Sequence, residues 1–375
     1  MKIVLDARHL QDFGIGTYIR NLVHGLAGID QANSYIAVML PKDRDLFQGL
    51  PSNFQTVEYW HTDAEKVDHV AFPMFLRRFR ADLFHIPLNR VPWFMPTPYV
   101  VTVHDMSRQL LAGTGWRNQL SLYCARRGLM RAGKVVTVSG ATRRSAETVL
   151  GIPHDHIRVI YNAPDPRFFS PSPANHRERL NILERYGINY PYILYVGKIS
   201  PQKNVPRLIE SFAVLKTELA GDVEFDGLRL VIVGDDISQF PAVRRAAAQS
   251  RLGQAIRFLG YVPFETLRIF YESAAAFAFP SLHEGFGLPP LEAMACGTPV
   301  VCSNASSLPE VVGGAAVMVS PDNVFEIARG LREVLVNQDL RAGLIEKGFL
   351  QVRNFSWEGT ARRVLETYVE VARSS

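Results

Sequence analysis

Residues 276–302 read AFAFPSLHEGFGLPPLEAMACGTPVVC. The apolar run Ala276–Phe279 has the length of a strand, a glycine-bearing turn follows it, Pro289 and Pro290 suit the first turn of a helix, and Pro299–Cys302 is a second apolar run. Strand, helix and strand in so short a span describe one unit of a parallel sheet wrapped by helices. Working outward, the same alternation recurs along the chain. In the first half the strand candidates are Ile3–Asp6, Tyr35–Met39, Leu83–Ile86, Tyr99–Val103, Val135–Val138 and Val159–Tyr161; in the second they are Tyr192–Val196, Leu228–Val233, Ile256–Leu259, Ala276–Phe279, Pro299–Cys302 and Ala316–Val319. Two doubly wound α/β sheets fit this series better than one.

At 375 residues the chain exceeds the size at which a single core stops growing. Asn162–Asn175, NAPDPRFFSPSPAN, breaks the alternation with repeated prolines and excludes a long helix or central strand. It is the expected linker between domains at 1–170 and 171–356. Ser356 caps a final stretch in which Trp357, Ala361, Val364, Leu365, Tyr368 and Val369 recur at helical spacing, so the chain ends in an amphipathic helix over 357–375.

Hydrophobic residues make up 47% and charged residues 21%, the balance of a globular protein. The cysteines Cys124, Cys296 and Cys302 lack the spacing of a zinc site or disulfide framework and read as small core residues. The opening MKIVLDARH runs straight into a strand pattern, and no apolar stretch is long enough to span a bilayer, so the expected location is cytoplasmic. Charge is uneven. Residues 1–170 hold 20 Lys and Arg against 14 Asp and Glu, a net of +6, while the remainder holds 21 against 22, a net of −1. Phe75–Arg80 (FLRRFR) and Arg126–Lys134 (RRGLMRAGK) mix arginine with apolar side chains, as a surface meeting anionic lipid would, or as a solvated helix face would. Nucleic acid is disfavoured because aromatic residues do not alternate with the basic ones.

In open α/β sheets ligands bind beyond the carboxyl ends of the strands. After Phe279 stand Glu284 and, eight residues on, Glu292; Gly285 and Gly287 leave the backbone bare, and the amides near Phe286, Gly287 and Leu288 belong to a helix N-terminus that favours a diphosphate. One carboxylate can meet a sugar and the other ribose hydroxyls. After Val196 come Gly197, Lys198 and Lys203, whose ammonium groups can neutralise a diphosphate leaving group; as isolated surface lysines they would do nothing. After the first strand, Asp12–Tyr18 (DFGIGTY) holds Gly14 and Gly16 of a dinucleotide fingerprint but has Ile19 at the third glycine position. His104 follows the strand Tyr99–Val103 and is either structural or in contact with a substrate hydroxyl. Ser139 opens a helix and suits a cap. Asp43-Arg44-Asp45 has the spelling of a metal-binding motif, but in a turn after Pro41-Lys42 it reads as solvated, and no metal site is expected.

The stretch EGFGLPPLEAMACGTPVV, with its two glutamates separated by seven residues, resembles the signature of family 4 retaining glycosyltransferases, and the resemblance covers almost the whole chain. It implies the GT-B fold, two Rossmann-like domains facing across a cleft, with the C-terminal helix returning to the first. It also implies that Glu284 contacts the donor sugar and Glu292 the nucleotide ribose, that Lys198 and Lys203 meet the diphosphate, that His104 bonds the donor sugar, that Ser139 matches a family position, and that the base stacks near Tyr261-Val262. Gly16 would supply an amide and room for the sugar. Retention without a metal or other cofactor is implied, the departing phosphate oxygen taking the acceptor proton on one face, in preference to a double displacement through Glu284. Similarity to bacterial mannosyltransferases of polysaccharide assembly makes GDP-mannose the first expected donor and a UDP-sugar the second, with a saccharide or lipid-linked saccharide as acceptor. A nicotinamide-dependent dehydrogenase, a sugar-nucleotide epimerase of the same fold and a catalytically silent binding subunit are the rival readings.

Overall fold

The computed structural model describes residues 1–12, 14–63, 65, 67–107, 115–169 and 175–374. Parts of two expected features lie outside them: Phe13 of the DFGIGTY loop and 170–174 of the linker. The chain forms two compact units, one of residues 1–163 with 355–375 and the other of residues 164–354. The division thus falls at the start of the expected linker, not at 170, and the C-terminal segment belongs to the first unit from Phe355.

The first unit is built on seven parallel strands, β1 (Lys2–Asp6), β2 (Ser34–Met39), β3 (Phe54–Glu58), β4 (Leu83–Ile86), β5 (Tyr99–Val103), β6 (Lys134–Thr137) and β7 (Ile157–Val159), in the order β3-β2-β1-β4-β5-β6-β7. β3 was not among the expected strands. Its sequence, FQTVE, is polar and mostly exposed, because it is an edge strand that hydrogen-bonds on one side only. The central β5, YVVTV, is buried at every residue, as a strand covered on both faces must be. The helix Ile15–Ile29 lies under the C-terminal helix Trp357–Arg373, and they approach so closely that a Cβ on Gly25 would stand 3.0 Å from the Trp357 carbonyl oxygen. Ser356 caps the latter helix by accepting from the Gly359 amide. Burial of Trp357, Val364 and Tyr368 contributes roughly 1.5–3 kcal/mol each. Lys134 and Arg158 both pair with Glu370, at 2.8 and 2.5 Å, and fix the far end.

The second unit holds six parallel strands, β8 (Tyr192–Val196), β9 (Arg229–Val233), β10 (Ile256–Gly260), β11 (Ala276–Phe279), β12 (Val300–Ser303) and β13 (Ala316–Val319), ordered β10-β9-β8-β11-β12-β13. Both sheets reverse strand order once, between β1 and β4 and between β8 and β11. Loops leaving adjacent strands at such a reversal diverge to opposite faces and open a crevice, so these two places are where each fold can hold a ligand. Among the described residues no helix is long and apolar enough to cross a membrane. Of the cysteines only Cys302 is fully buried; Cys124 and Cys296 are partly exposed, so the expectation of three core cysteines holds for one.

Candidate active site

The residues quoted first lie at the reversal of the second sheet. β8 and β11 pair through Ile193 with Ala276 and Leu194 with Phe277, so the loops leaving them start side by side. The loop after β8 turns through Pro201–Lys203 and then Asn204, whose φ of 59° is the left-handed conformation that Asn adopts more readily than most residues. The buried Asn204 amide donates to the carbonyls of Pro280 and Pro321 at 3.0 and 2.7 Å, and the Leu282 amide donates to the Gln202 carbonyl at 2.7 Å. These bonds lock the two loops in register. Lys203 Nζ lies 2.6 Å from Glu284 Oε1 and 5.3 Å from the centre of the Phe279 ring. Glu284 is only 8% exposed, so the ammonium is the charge that lets this carboxylate stay buried.

On the other side the loop 281–287 is held by serines at the end of β12 and just beyond it. Ser303 donates to the Ser281 carbonyl, Ser306 to that of Glu284 at 2.6 Å, and Ser307 to those of Glu284 and Phe286 at 3.0 and 2.7 Å. Tying the carbonyl oxygens to that side fixes the loop that opens the helix Leu288–Ala295, which has proline in its first turn and no side-chain cap. Gly287 has φ of 107°, and a Cβ there would meet Leu308 at 2.6 Å, so both conformation and space demand glycine. The resulting helix N-terminus carries partial positive charge beside Lys203 and suits a phosphate.

Glu292, one turn into that helix, accepts a 2.9 Å hydrogen bond from the Tyr271 hydroxyl. Burial pushes its pKa up to about 7; Tyr271 opposes that shift and Asp165 adds to it. Lys198 is exposed, and the structure brings Lys203, not Lys198, to Glu284. Gly197 ends β8 and spends its amide on the Val233 carbonyl at 3.0 Å. Of the residues expected to bind the base and loop phosphates, Val262 and Phe286 turn out to be core side chains, while the Tyr261 ring is 73% exposed and the Leu288 side chain partly so.

In the first unit the picture differs. Gly16 was expected to offer an amide and room for a sugar. Instead its amide donates to the Asp12 carbonyl at 2.8 Å, and a Cβ would stand 2.3 Å from the Leu10 carbonyl oxygen, which also accepts from the Arg20 guanidinium. The chain's own backbone uses both features. Ser139 is a buried cap that accepts from the Thr142 amide. Asp43 corrects the reading of 43–45 as a solvated turn: it is buried in the turn Pro41–Phe47 and accepts from Gln11 at 2.6 Å.

His104 stands edge-on to Tyr18, ring centres 4.7 Å apart, and burial pushes its pKa down to about 4, against the pull of Asp105 and a bond to the Pro87 backbone. It is therefore neutral at neutral pH, and its Nε2 is buried with no hydrogen-bond partner among the described residues. Sequence reading missed what lies behind it. Tyr18 reaches Thr102 at 3.0 Å, Thr102 reaches His85 at 2.8 Å, and His85 reaches Tyr368 of the C-terminal helix at 2.6 Å, all fully buried. Nothing in the local pattern around His85, in the apolar strand LFHI, distinguishes it from a packing residue.

Comparison with known proteins agrees with this architecture. Residues 14–168 match the model of Glycosyltransferase Family 4, and residues 179–351 match Glycosyl transferases group 1. The chain thus carries one glycosyltransferase family domain of each kind, in succession. It is 35% identical over 237 residues to O-antigen chain mannosyltransferase B of Escherichia coli, a match covering 62% of this chain and 60% of that protein. It is 28% identical over 300 residues to serotype-specific mannosyltransferase WbdA of Escherichia coli, covering 77% of this chain and 35% of that one. The matches thus span less than two thirds of either relative. Among solved structures, sucrose-phosphate synthase from Thermosynechococcus elongatus superposes with a TM-score of 0.78 at 20% identity, covering all of both chains. HepE from Anabaena, in complex with UDP-glucose, gives 0.78 at 16% over 98% of this chain and 99% of that one. The chain therefore has the GT-B fold, as its two parallel-sheet units indicate.

Proposed function

We propose that this protein is a retaining glycosyltransferase that moves mannose from GDP-mannose to a saccharide or lipid-linked saccharide acceptor in polysaccharide assembly. The observation that carries the reading is the Lys203–Glu284 pair at the reversal of the second sheet, beside the N-terminus of the helix Leu288–Ala295. The relatives named as mannosyltransferases support the choice of sugar.

In the reaction the bond from the anomeric carbon to the diphosphate breaks, the acceptor oxygen bonds to that carbon on the same face, and the acceptor proton passes to the departing phosphate oxygen. Charge grows on the leaving diphosphate, where Lys203 and the helix N-terminus stabilise it in place of a metal ion, with Lys198 at longer range. Glu284, paired with Lys203, orients the sugar and stabilises the positive charge developing on its ring. Glu292 receives the ribose hydroxyls and Tyr261 offers an open ring for base stacking. The neutral imidazole of His104, with its unpartnered Nε2, suits a sugar hydroxyl.

The test is transfer from GDP-mannose, UDP-glucose and ADP-glucose in EDTA, with the anomeric configuration of the product read by NMR. Transfer of mannose with retention is the expected result. Transfer only from a UDP- or ADP-sugar would move the donor assignment, a requirement for added metal would remove Lys203 from its assigned role, and binding of NAD without any sugar nucleotide would favour a dehydrogenase.

A further inference from the structure

Behind His104 lies a chain of polar side chains that a core needing only packing would not contain. Tyr18 of the helix Ile15–Ile29, Thr102 of β5, His85 of β4 and Tyr368 of the C-terminal helix come from four separate elements, and each is fully buried. Taking three hydroxyls and an imidazole out of water costs free energy unless each finds a partner. Here they partner one another, at 3.0 Å from Tyr18 to Thr102, 2.8 Å from Thr102 to His85 and 2.6 Å from His85 to Tyr368. Burial, with His104 adding to it, pushes the His85 pKa down to about 3. The ring is therefore neutral and accepts at one nitrogen while donating from the other, which suits a link between two hydroxyls. Phenylalanine for either tyrosine and valine for Thr102 would fill much the same space with no polar group to satisfy.

One end of this chain of bonds abuts His104. Tyr18 meets both Thr102 and His104, its hydroxyl on the first and its ring edge-on to the second, with ring centres 4.7 Å apart. The imidazole of His104 is otherwise tied by a bond to the Pro87 backbone. A ring held by one hydrogen bond can swing about it, whereas a ring that also abuts an aromatic neighbour anchored through its own hydroxyl has its remaining nitrogen aimed in one direction. We propose that Tyr18 is a positioning residue for His104, anchored through Thr102, His85 and Tyr368, so that the last helix of the chain helps to aim Nε2 at a sugar hydroxyl. The inference rests on the assignment of His104 to that hydroxyl. A displacement of about 1 Å at a substrate contact can cost about 10²-fold in rate, so the aim of Nε2 bears directly on transfer.

A double-mutant cycle on the full chain tests it, with kcat/KM for transfer as the readout. Tyr18→Phe keeps the ring and removes the hydroxyl, and Thr102→Val removes the next link; each should lower kcat/KM at least about fivefold, and Thr102→Ser should restore it to within about twofold. In a His104→Ala background the same substitutions should change it by less than about twofold, because the group they aim is gone. A merely structural role would give the full loss in both backgrounds. The imidazole NMR signals of His104, identified by their absence in His104→Ala, should move in Tyr18→Phe and, by less, in Tyr368→Phe, with no substrate present. Where Thr102→Val fails to fold, the two phenylalanine variants decide. The inference is overturned if the signals stay in place in the folded variants, or if the losses multiply undiminished with that of His104→Ala. If His104→Ala transfers at the wild-type rate, the sugar contact assigned to His104 falls and the inference with it. Movement of the signals in a chain that transfers no sugar would uphold the positioning of His104 and remove the transferase reading.

Discussion

The two sheets reverse strand order in the same way, yet the chain fills the two crevices with opposite chemistry. Beyond β1, Arg8 lies between Asp6 and Asp68, at 2.8 and 2.9 Å, with its guanidinium 3.6 Å over the Phe72 ring and the Tyr59 hydroxyl on Asp68. The charges of Arg8, Asp6 and Asp68 are buried and answer one another. Beyond β8 and β11, Lys203 answers Glu284 at 2.6 Å, and the chain adds a helix N-terminus with no side-chain cap and a carboxyl, Glu292, raised towards neutrality. The topology supplies two equivalent places, and side-chain chemistry makes one a structural knot and the other, in the proposed reading, a receptor for an anion.

Substitutions can break that contrast. Asp68→Ala leaves Arg8 with Asp6 as its carboxylate partner and the His61 carbonyl beside it in a buried setting, and should cost about 3–5 kcal/mol in the unfolding of the first domain, read by calorimetry, while nucleotide binding by the folded chain persists. Glu284→Gln should lower the transfer rate by about 10²–10³ with little change in either unfolding transition, because the amide keeps a partner for Lys203. Glu292 gives a pH signature. Its folded pKa of about 7 lies above its ordinary 4.5, so between these values the folded chain holds a proton that the unfolded chain has released. Stability of the second domain should therefore fall as pH rises from about 4.5 to about 7 and level off above it, and Glu292→Gln should flatten the profile. Smallest is Tyr271→Phe, which removes one hydrogen bond to that carboxyl, costs about 1 kcal/mol and moves the end of the sloping window to higher pH.

Much of this was legible in the sequence because parallel strands buried on both faces announce themselves. YVVTV, broken only by Thr102, and YILYV are largely apolar runs, and both became central strands. FQTVE did not, since an edge strand with one solvated side carries no such run. Glu284, Lys203 and the glycine loop were legible as chemistry placed after strands. Their meeting was not, because it depends on Asn204 and three serines bonding backbone carbonyls across loops far apart in sequence. At Gly16 and Val262 local spelling suggested ligand contacts, and it did not reveal the packing: Leu10 and Asp12 crowd the glycine, and the Val262 side chain is buried.

The most direct test of the account is calorimetric titration of GDP-mannose, in EDTA, into wild type and Lys203→Met. The account predicts metal-free binding by wild type and a loss of at least about tenfold in affinity in the variant, the size expected when one charged contact to a diphosphate is removed. Equal affinity in the two proteins would contradict it, since the crevice beyond β8 and β11 would then not be where the diphosphate sits.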